Sequence, residues 1–274
     1  MKTAVIVIAA VIAVLVLFVG LGWLGLQIRP RPFAPFPQVT PPLDTVPLPD
    51  GLPTPVSRFY KAITGERTPV IDSAVITGRG KLRFAGINFP ARLRFTHDAG
   101  QGYRHYIEAT LFGYPVFKVN EWYVEGESRL ELPVGVVENE PKVNQAANMG
   151  LWGESMWLPS VFVTDPRVRW EGIDETTARL VVPFGGGEDT FTVEFDPQTG
   201  LIRSMESLRY KQATDEAKTR SLFEVSEWDT MAGAMIPSLA SVTWEDEGTP
   251  WLTFEVDEIV YNVDIEEYIR ARGP

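Results

Sequence analysis

Two histidines and a glutamate are the residues of this 274-residue chain whose types and spacing could do chemistry. His97 and His105 flank a turn at residues 98–102. A hairpin there would bring both imidazoles together, with Asp98 and Glu108 nearby, and such a group could bind a metal ion weakly or transfer protons. Histidines on a surface hairpin are more often solvated strand residues, and this is the interpretation we favour. We therefore predict no metal site and no catalytic residue.

The glutamate, Glu154, lies on the apolar face of a predicted helix, where Trp152 and Trp157 flank it. A carboxylate in such surroundings costs free energy unless it is paired or opens into a polar cavity. One interpretation is a ligand-binding site formed by Trp152, Glu154 and Trp157, and these three are the candidate ligand-binding residues. The alternative, which we favour for Glu154 itself, is a structural ion pair with an arginine of a strand.

Two other motifs resemble catalytic sequences in residue content alone. Ser155, in the sequence Gly-Glu-Ser-Met-Trp, lacks the second glycine and the preceding strand of a nucleophile elbow. Residues 185–187 are three glycines without the lysine of a phosphate-binding loop, and they lie where a hairpin is predicted. We interpret Ser155 as structural and the glycines as a hairpin tip.

The composition excludes several classes of function. The chain has no cysteine, which rules out disulfides, thiol nucleophiles and cysteine metal sites. Its formal net charge of −11 argues against nucleic acid as a partner, because phosphate binding draws on clustered lysine and arginine. No cofactor is predicted.

The N-terminus predicts a transmembrane anchor over residues 1–29. Residues 4–26 carry no charge, and at a rise of ~1.5 Å per residue they would span ~35 Å as a helix, enough to cross a bilayer. A cleaved signal peptide would have a shorter apolar region. Lys2 and the terminal amine balance Arg29 and Arg31, so the positive-inside rule gives a near tie. We predict a single-pass protein whose domain is extracytoplasmic, as is usual for single N-terminal anchors.

Residues 30–53 are predicted to form a proline-rich linker. Ten of the 26 residues from 30 to 55 are proline, which forbids a helix and favours extended backbone. Two interpretations stay open. The segment is either a spacer that lifts the following domain off the bilayer or a strap that lies along that domain.

Residues 54–274 are predicted to form one β-rich globular domain. It begins with a short amphipathic helix, because the apolar residues after Thr54 have helical spacing. The period then changes to two, as in Ala91, Leu93 and Phe95, and turn signals recur, so we predict about ten antiparallel strands joined mainly as a meander. The turn signals are residues 78–80, 98–102, 113, 126, 185–187, 196–200 and 246–248.

Two further helices complete the predicted domain. A helical face over residues 139–158 interrupts the strands, and residues 264–272 carry acidic side chains first and arginines last, as a helix dipole favours. The fold class is therefore mainly β (α+β). We expect an N-terminal transmembrane helix and a curved antiparallel β-meander, or half-barrel, that wraps a central helix.

Several segments resemble an uncharacterised prokaryotic membrane-anchored family that is known as a domain of unknown function. The segments are residues 52–60, 151–159, 168–174, 178–180 and 192–200. The resemblance covers roughly residues 52–262 and implies no catalytic residue. In topology, the predicted meander around helices is also similar to the LolA and LppX lipoprotein carriers, which hold acyl chains in a hydrophobic cavity. This chain departs from them in keeping a transmembrane helix.

These features favour non-enzymatic binding of a lipid or other hydrophobic small molecule at a membrane surface. The expected partners are thus the membrane and an apolar ligand, with no nucleic acid. Two alternatives stay open. One is a structural or interaction module presented on a stalk, and the other is a hydrolase that uses Glu154 or the histidine hairpin.

Overall fold

The computed structural model describes residues 2–274, and its main element is one antiparallel sheet of thirteen strands. The predicted mainly β fold is confirmed. The strands are β1 (Thr45–Pro47), β2 (Arg67–Pro69), β3 (Ser73–Phe84), β4 (Ile87–Asp98), β5 (Gly102–Leu111), β6 (Tyr114–Val124), β7 (Glu127–Leu132), β8 (Gly135–Glu138), β9 (Arg169–Gly172), β10 (Thr177–Phe184), β11 (Gly187–Phe195), β12 (Ile202–Arg209), β13 (Thr219–Met231), β14 (Ala234–Trp244) and β15 (Pro250–Tyr261).

Five helices accompany the strands in the described residues. They are α1 (Lys2–Gly25), α2 (Thr54–Ile63), α3 (Pro141–Glu154), α4 (Val161–Thr164) and α5 (Glu266–Ile269). Helix α3 is shorter than the predicted 139–158, because the chain tightens into a 3-10 turn at Ser155–Trp157. Helix α5 covers only part of the predicted 264–272.

The sheet consists of two meanders, β3 to β8 and β9 to β15, and α3 lies between them in the chain. The meanders join because β3 pairs with the last strand, β15. The outermost strands of the thirteen are β8 and β9, so the sheet is curved but open. Strands β1 and β2 form a separate pair.

Two glycines allow β3 and β15 to approach each other closely. A Cβ atom on Gly80 would lie 1.8 Å from the carbonyl oxygen of Thr253, and one on Gly78 would lie 2.5 Å from that of Glu255. The prediction of a turn at residues 78–80 is therefore wrong. These glycines lie inside a strand, where the neighbouring backbone leaves no room for a side chain. The other predicted turns do lie between elements.

The inner face of the sheet is the face that α3 covers. Residues paired across neighbouring strands share a face, so Phe95, His105 and Glu121 form one row on β4, β5 and β6. Phe95 lies in the core, with its ring 6.5 Å from that of Trp157 beyond α3. Helix α2, confirmed at its predicted position, buries Val56, Phe59, Tyr60 and Ile63.

The proline-rich segment lies along the outer face of the sheet, as the strap interpretation has it. Phe33 is buried, 4.4 Å from the guanidinium of Arg92, and the backbone oxygen of Ala34 accepts a hydrogen bond from Arg94. Phe36 is buried against Val75, Val260 and Val263. The segment contributes apolar surface to the folded domain, so it is not a free spacer over this part.

Replacing Phe36 with alanine is expected to destabilise the domain by about 3 kcal/mol, because a buried aromatic side chain would leave a cavity. Thermal melts of the detergent-solubilised full chain measure the change. Val39→Ala is the matched control, since Val39 belongs to the same segment and is 83% exposed. Equal melting temperatures for both variants would show that the segment does not contribute to the core.

Candidate functional site

The two histidines and Glu154 come together beneath the end of α3. The Nε2 atom of His105 lies 2.6 Å from Oε2 of Glu154, and Nε2 of His97 lies 3.2 Å from the same oxygen. One donor atom from each residue can be chosen so that all three lie within 4.8 Å of one another, which is close enough to hold one metal ion. We call these three residues the histidine–glutamate cluster.

The strands bring the histidines inside because each is in phase with apolar neighbours. His97 follows Ala91, Leu93 and Phe95 at a spacing of two, so it faces the same side as they do. His97 and His105 are 1% and 7% exposed. The prediction of solvated surface histidines is therefore wrong. The alternation of apolar residues in β4 already indicated that His97 faces the core.

The carboxylates predicted near the histidines are not part of the cluster. Glu108 is on the outer face of the sheet, where it accepts a hydrogen bond of 2.8 Å from Nε of Arg92. Asp98 is exposed at the end of β4. The second carboxylate of the site is Glu121, which lies 3.6 Å from Nδ1 of His105 and accepts a 2.5 Å hydrogen bond from Tyr103. Sequence reasoning missed Glu121, although it alternates in phase with Phe117 and Val119.

Opposite charges set the protonation states of the cluster. Burial by itself lowers the pKa of His105, but the negative charges of Glu154 and Glu121 and the hydrogen bond with Glu154 outweigh it and raise this pKa to about 9. Burial by itself would raise the pKa of Glu154, but the two histidines bring it down to about 2. For His97 burial dominates and lowers the pKa. A protonated His105 thus lies between two ionised carboxylates.

The partner of Glu154 is therefore a histidine pair, so the prediction of an arginine partner is wrong. The flanking tryptophans are both 1% exposed in the core. Trp157 donates from its indole nitrogen to the oxygen of Pro237 at 2.9 Å, which fixes the turn that follows Glu154. In this conformation Trp152 and Trp157 contact protein, and their role in ligand binding stays a prediction.

The two motifs interpreted as structural have ordinary positions in the fold. The hydroxyl of Ser155 donates a 2.8 Å hydrogen bond to the oxygen of Leu151 in the preceding helical turn. The three glycines, residues 185–187, lie at the turn between β10 and β11, where Phe184 pairs with Gly187.

A second candidate surface lies at the opposite end of β3 to β8, next to the end of α1. The backbone nitrogen of Phe112 donates a 2.9 Å hydrogen bond to the oxygen of Gly25, so α1 ends on the turn between β5 and β6. This turn and its neighbours between β3 and β4 and between β7 and β8 carry exposed apolar side chains. We call these residues the apolar rim: Ile87 (47% exposed), Phe112 (42%), Tyr114 (76%) and Val134 (79%).

Behind the rim, the inner face of the sheet carries half-buried apolar residues. The ring of Phe117 lies 5.0 Å from that of Phe84 and 5.1 Å from that of Phe89. Leu130 and Leu132 of β7 are also half-buried. We call these five residues the apolar mouth. The same face is fully buried farther along, at Leu93 and Phe95.

The charge pairing in the cluster predicts a loss of stability at alkaline pH. The pKa of His105 is about 9 when folded, against about 6.5 for an unfolded histidine. Its contribution is thus complete below about pH 6.5 and is lost as the pH rises through about 9. His97 has a lowered pKa and stays neutral over this window. Urea unfolding in metal-free buffer should show a loss on the order of 2 kcal/mol between these pH values.

The variant His105→Gln provides the control for this prediction, because it cannot take up the proton. Its unfolding free energy should change much less over the same pH window. A wild-type protein whose stability is as independent of pH as that of the variant would contradict the pairing of His105 with Glu154 and Glu121.

The fold is similar to solved structures of bacterial proteins. One is a DUF1329 family protein from Desulfovibrio piger ATCC 29098, with 12% identity and a TM-score of 0.46 over 73% of this chain and 90% of that chain. Another is a LolA superfamily protein from Nitrosomonas europaea, with 10% identity and a TM-score of 0.47 over 78% of this chain and 97% of that one. These similarities concern the course of the backbone and carry no information about function.

No curated protein has a detectable sequence match to the chain. A family model does match: it covers residues 43–256, from the strand β1 region to β15, and so includes every residue of the histidine–glutamate cluster. The chain therefore belongs to DUF6544, a family of unknown function.

Proposed function

We propose that this protein binds a lipid, or another apolar molecule, at the surface of the membrane that holds α1, without changing it chemically. The observation that carries the proposal is the position of the apolar rim. One of its residues, Phe112, bonds the end of a helix that is long and apolar enough to cross a membrane. The apolar mouth lies directly behind the rim.

Helix α1 has the properties of a membrane anchor. Thr3–Gly25 is a 23-residue apolar helix, long enough to cross a membrane, and its most apolar part is not buried against the rest of the protein. So large an exposed apolar surface is unfavourable in water and is stabilised in a bilayer. Trp23 near its end is 61% exposed, as expected for an aromatic residue at the membrane interface.

The path of the proline-rich segment supports an arrangement in which the rim end of the sheet faces the bilayer. After α1, the chain passes Arg92 with Phe33, then Arg94 with Ala34, and Thr40 reaches the backbone nitrogen of Tyr261. It therefore runs along the strands away from the turns of the rim. In this arrangement, the ends of β3 to β6 that carry the apolar rim face the bilayer. The opposite ends, next to His97, face away from it.

The rim fits contact with the headgroup region of a bilayer. Four exposed apolar side chains on three neighbouring turns form a type of surface that marks interaction sites in soluble domains. Tyrosine suits the membrane interface because its ring enters the apolar layer while its hydroxyl group stays hydrated, and phenylalanine adds apolar ring surface. With the rim in contact, the mouth opens toward the acyl chains.

The occupant that fits the mouth is an acyl chain. Phe84, Phe89 and Phe117 offer ring faces and edges without a charge, and the bilayer next to α1 supplies acyl chains at high local concentration. A bound chain would cover these half-buried rings and stabilise the complex by about 25 cal/mol per Å² of apolar surface removed from water. Contact with Trp152, Glu154 and Trp157 would require α3 to move, and that part remains a prediction.

A charge in the apolar mouth should reduce lipid binding. We expect Phe117→Glu to lower the amount of lipid that copurifies with the full chain in mild detergent severalfold, because a carboxylate in an acyl-chain site is costly. Native mass spectrometry and quantification of extracted lipid measure this. Val136→Glu is the matched control, since Val136 of β8 is 54% exposed and pairs with Glu131, which alternates with Leu130 and Leu132 and so lies on the other face. If both variants copurify as much lipid as wild type, the mouth does not bind lipid.

The orientation in the membrane is a separate prediction. We expect residues 30–274 to lie outside the cytoplasm, because a short basic N-terminus before a long apolar segment usually stays inside. Protease added to intact cells from which any outer barrier has been removed should digest the domain. Protection of the domain until the inner membrane is broken would contradict this orientation.

A further inference from the structure

The histidine–glutamate cluster lies far from the apolar rim, although Leu130 of the apolar mouth pairs with Glu121 beside it. Ile87 of the rim and His97 are ten residues apart on β4, which corresponds to roughly 33 Å of extended strand. The cluster therefore needs an explanation of its own. Three features of it point to the same ligand.

The first feature is the convergence of three donor atoms of the kind that transition metals prefer. Two imidazole nitrogens and one carboxylate oxygen lie within 4.8 Å of one another. Imidazole suits zinc and its first-row neighbours, whereas calcium and magnesium favour sites made of oxygen atoms alone. The side chain of Glu154 keeps 14% exposure, so a solvent molecule could supply a fourth ligand.

The second feature is an unsatisfied imidazole. Neither ring nitrogen of His97 has a hydrogen-bond partner among residues 3–274, although the residue is 1% exposed. Its Nε2 atom is 3.2 Å from Glu154 without the alignment of a hydrogen bond. Buried polar groups are almost always paired, and an unpaired one costs about 1–3 kcal/mol. A metal ion between His97, His105 and Glu154 would accept the lone pair of His97.

The third feature is the support around His105. Its Nδ1 atom faces Glu121 at 3.6 Å, and Glu121 is itself held by the hydroxyl of Tyr103 at 2.5 Å. A carboxylate behind a histidine keeps the far proton on Nδ1 and leaves the lone pair of Nε2 for a metal, the usual arrangement around metal-bound histidines. The ring of His105 is also held between those of Phe95 and Tyr103, at 4.0 and 4.1 Å.

We propose that His97, His105 and Glu154 bind one divalent transition-metal ion of the zinc class, with Glu121 orienting His105. The metal ion would take the place of the proton between His105 and Glu154. Its two positive charges would then balance the carboxylates of Glu154 and Glu121. Because His97 and His105 belong to β4 and β5 and Glu154 ends α3, the ion would also bind the central helix to the sheet.

Zinc and cobalt titrations of the metal-free full chain test the site. The protein is purified in detergent without a polyhistidine tag and treated with a chelator. We expect one ion per chain and a rise in melting temperature, since an ion that binds the folded state alone stabilises it. His97→Gln should weaken binding at least tenfold. The control variant is Glu131→Gln. Glu131 lies on β7, next to the strand of Glu121, and is not part of the cluster, so this variant should bind zinc like wild type.

The wild-type protein provides an independent measurement should His97→Gln fold poorly. His97 and His105 are the only histidines of the chain, so ¹⁵N-histidine labelling gives signals from these two rings alone. Zinc should shift the Nε2 signals of both. Equal zinc binding by wild type and a folded His97→Gln, or ring signals that do not change on adding zinc, would overturn the proposal and leave the cluster as an ion pair.

Discussion

One curved sheet with a largely apolar inner face is the constraint on which this structure depends. The face must be covered, because apolar surface left in water opposes folding. Helix α3 and the turn after it cover the end at Phe95, where Trp157 is pinned by hydrogen bonds to the backbone of Pro237 and from Tyr261. At the other end, Phe84 and Phe117 remain half-buried. The uncovered end is the one beside α1, and in our proposal a bilayer covers it.

The covered end contains a buried network of charged and polar side chains. An ionised carboxylate in a core is costly unless it is paired, and removing its partner costs more than the pair contributes. Here the partners of Glu154 are two histidines on adjacent strands, and Glu121 and Tyr103 extend the network. Such a network specifies how α3 sits on the sheet. Histidine differs from arginine as a partner because its ring nitrogens can lose a proton near neutral pH, and in our proposal they bind a metal ion.

Local patterns in the sequence predict much of this fold, because alternation and turn residues act over short distances. They predict the strands, the helices α2 and α3, and the place of Glu154 on an apolar helix face. They do not predict that β3 pairs with β15, a contact between residues far apart in the chain, so Gly78 and Gly80 are mistaken for a turn. The same alternation places His97 in phase with Phe95. The error there lay in treating histidine as a surface residue by type.

The most direct test of lipid contact at the rim end uses a phospholipid with a photoreactive group near the end of its acyl chain. The full chain is reconstituted in bilayer discs containing this lipid, irradiated, digested and mapped by mass spectrometry. We predict labelled peptides that contain Phe84, Phe89 or Phe117 in addition to those of α1. Labelling confined to α1, with these peptides unmodified, would contradict it and reduce the role of the membrane to anchoring.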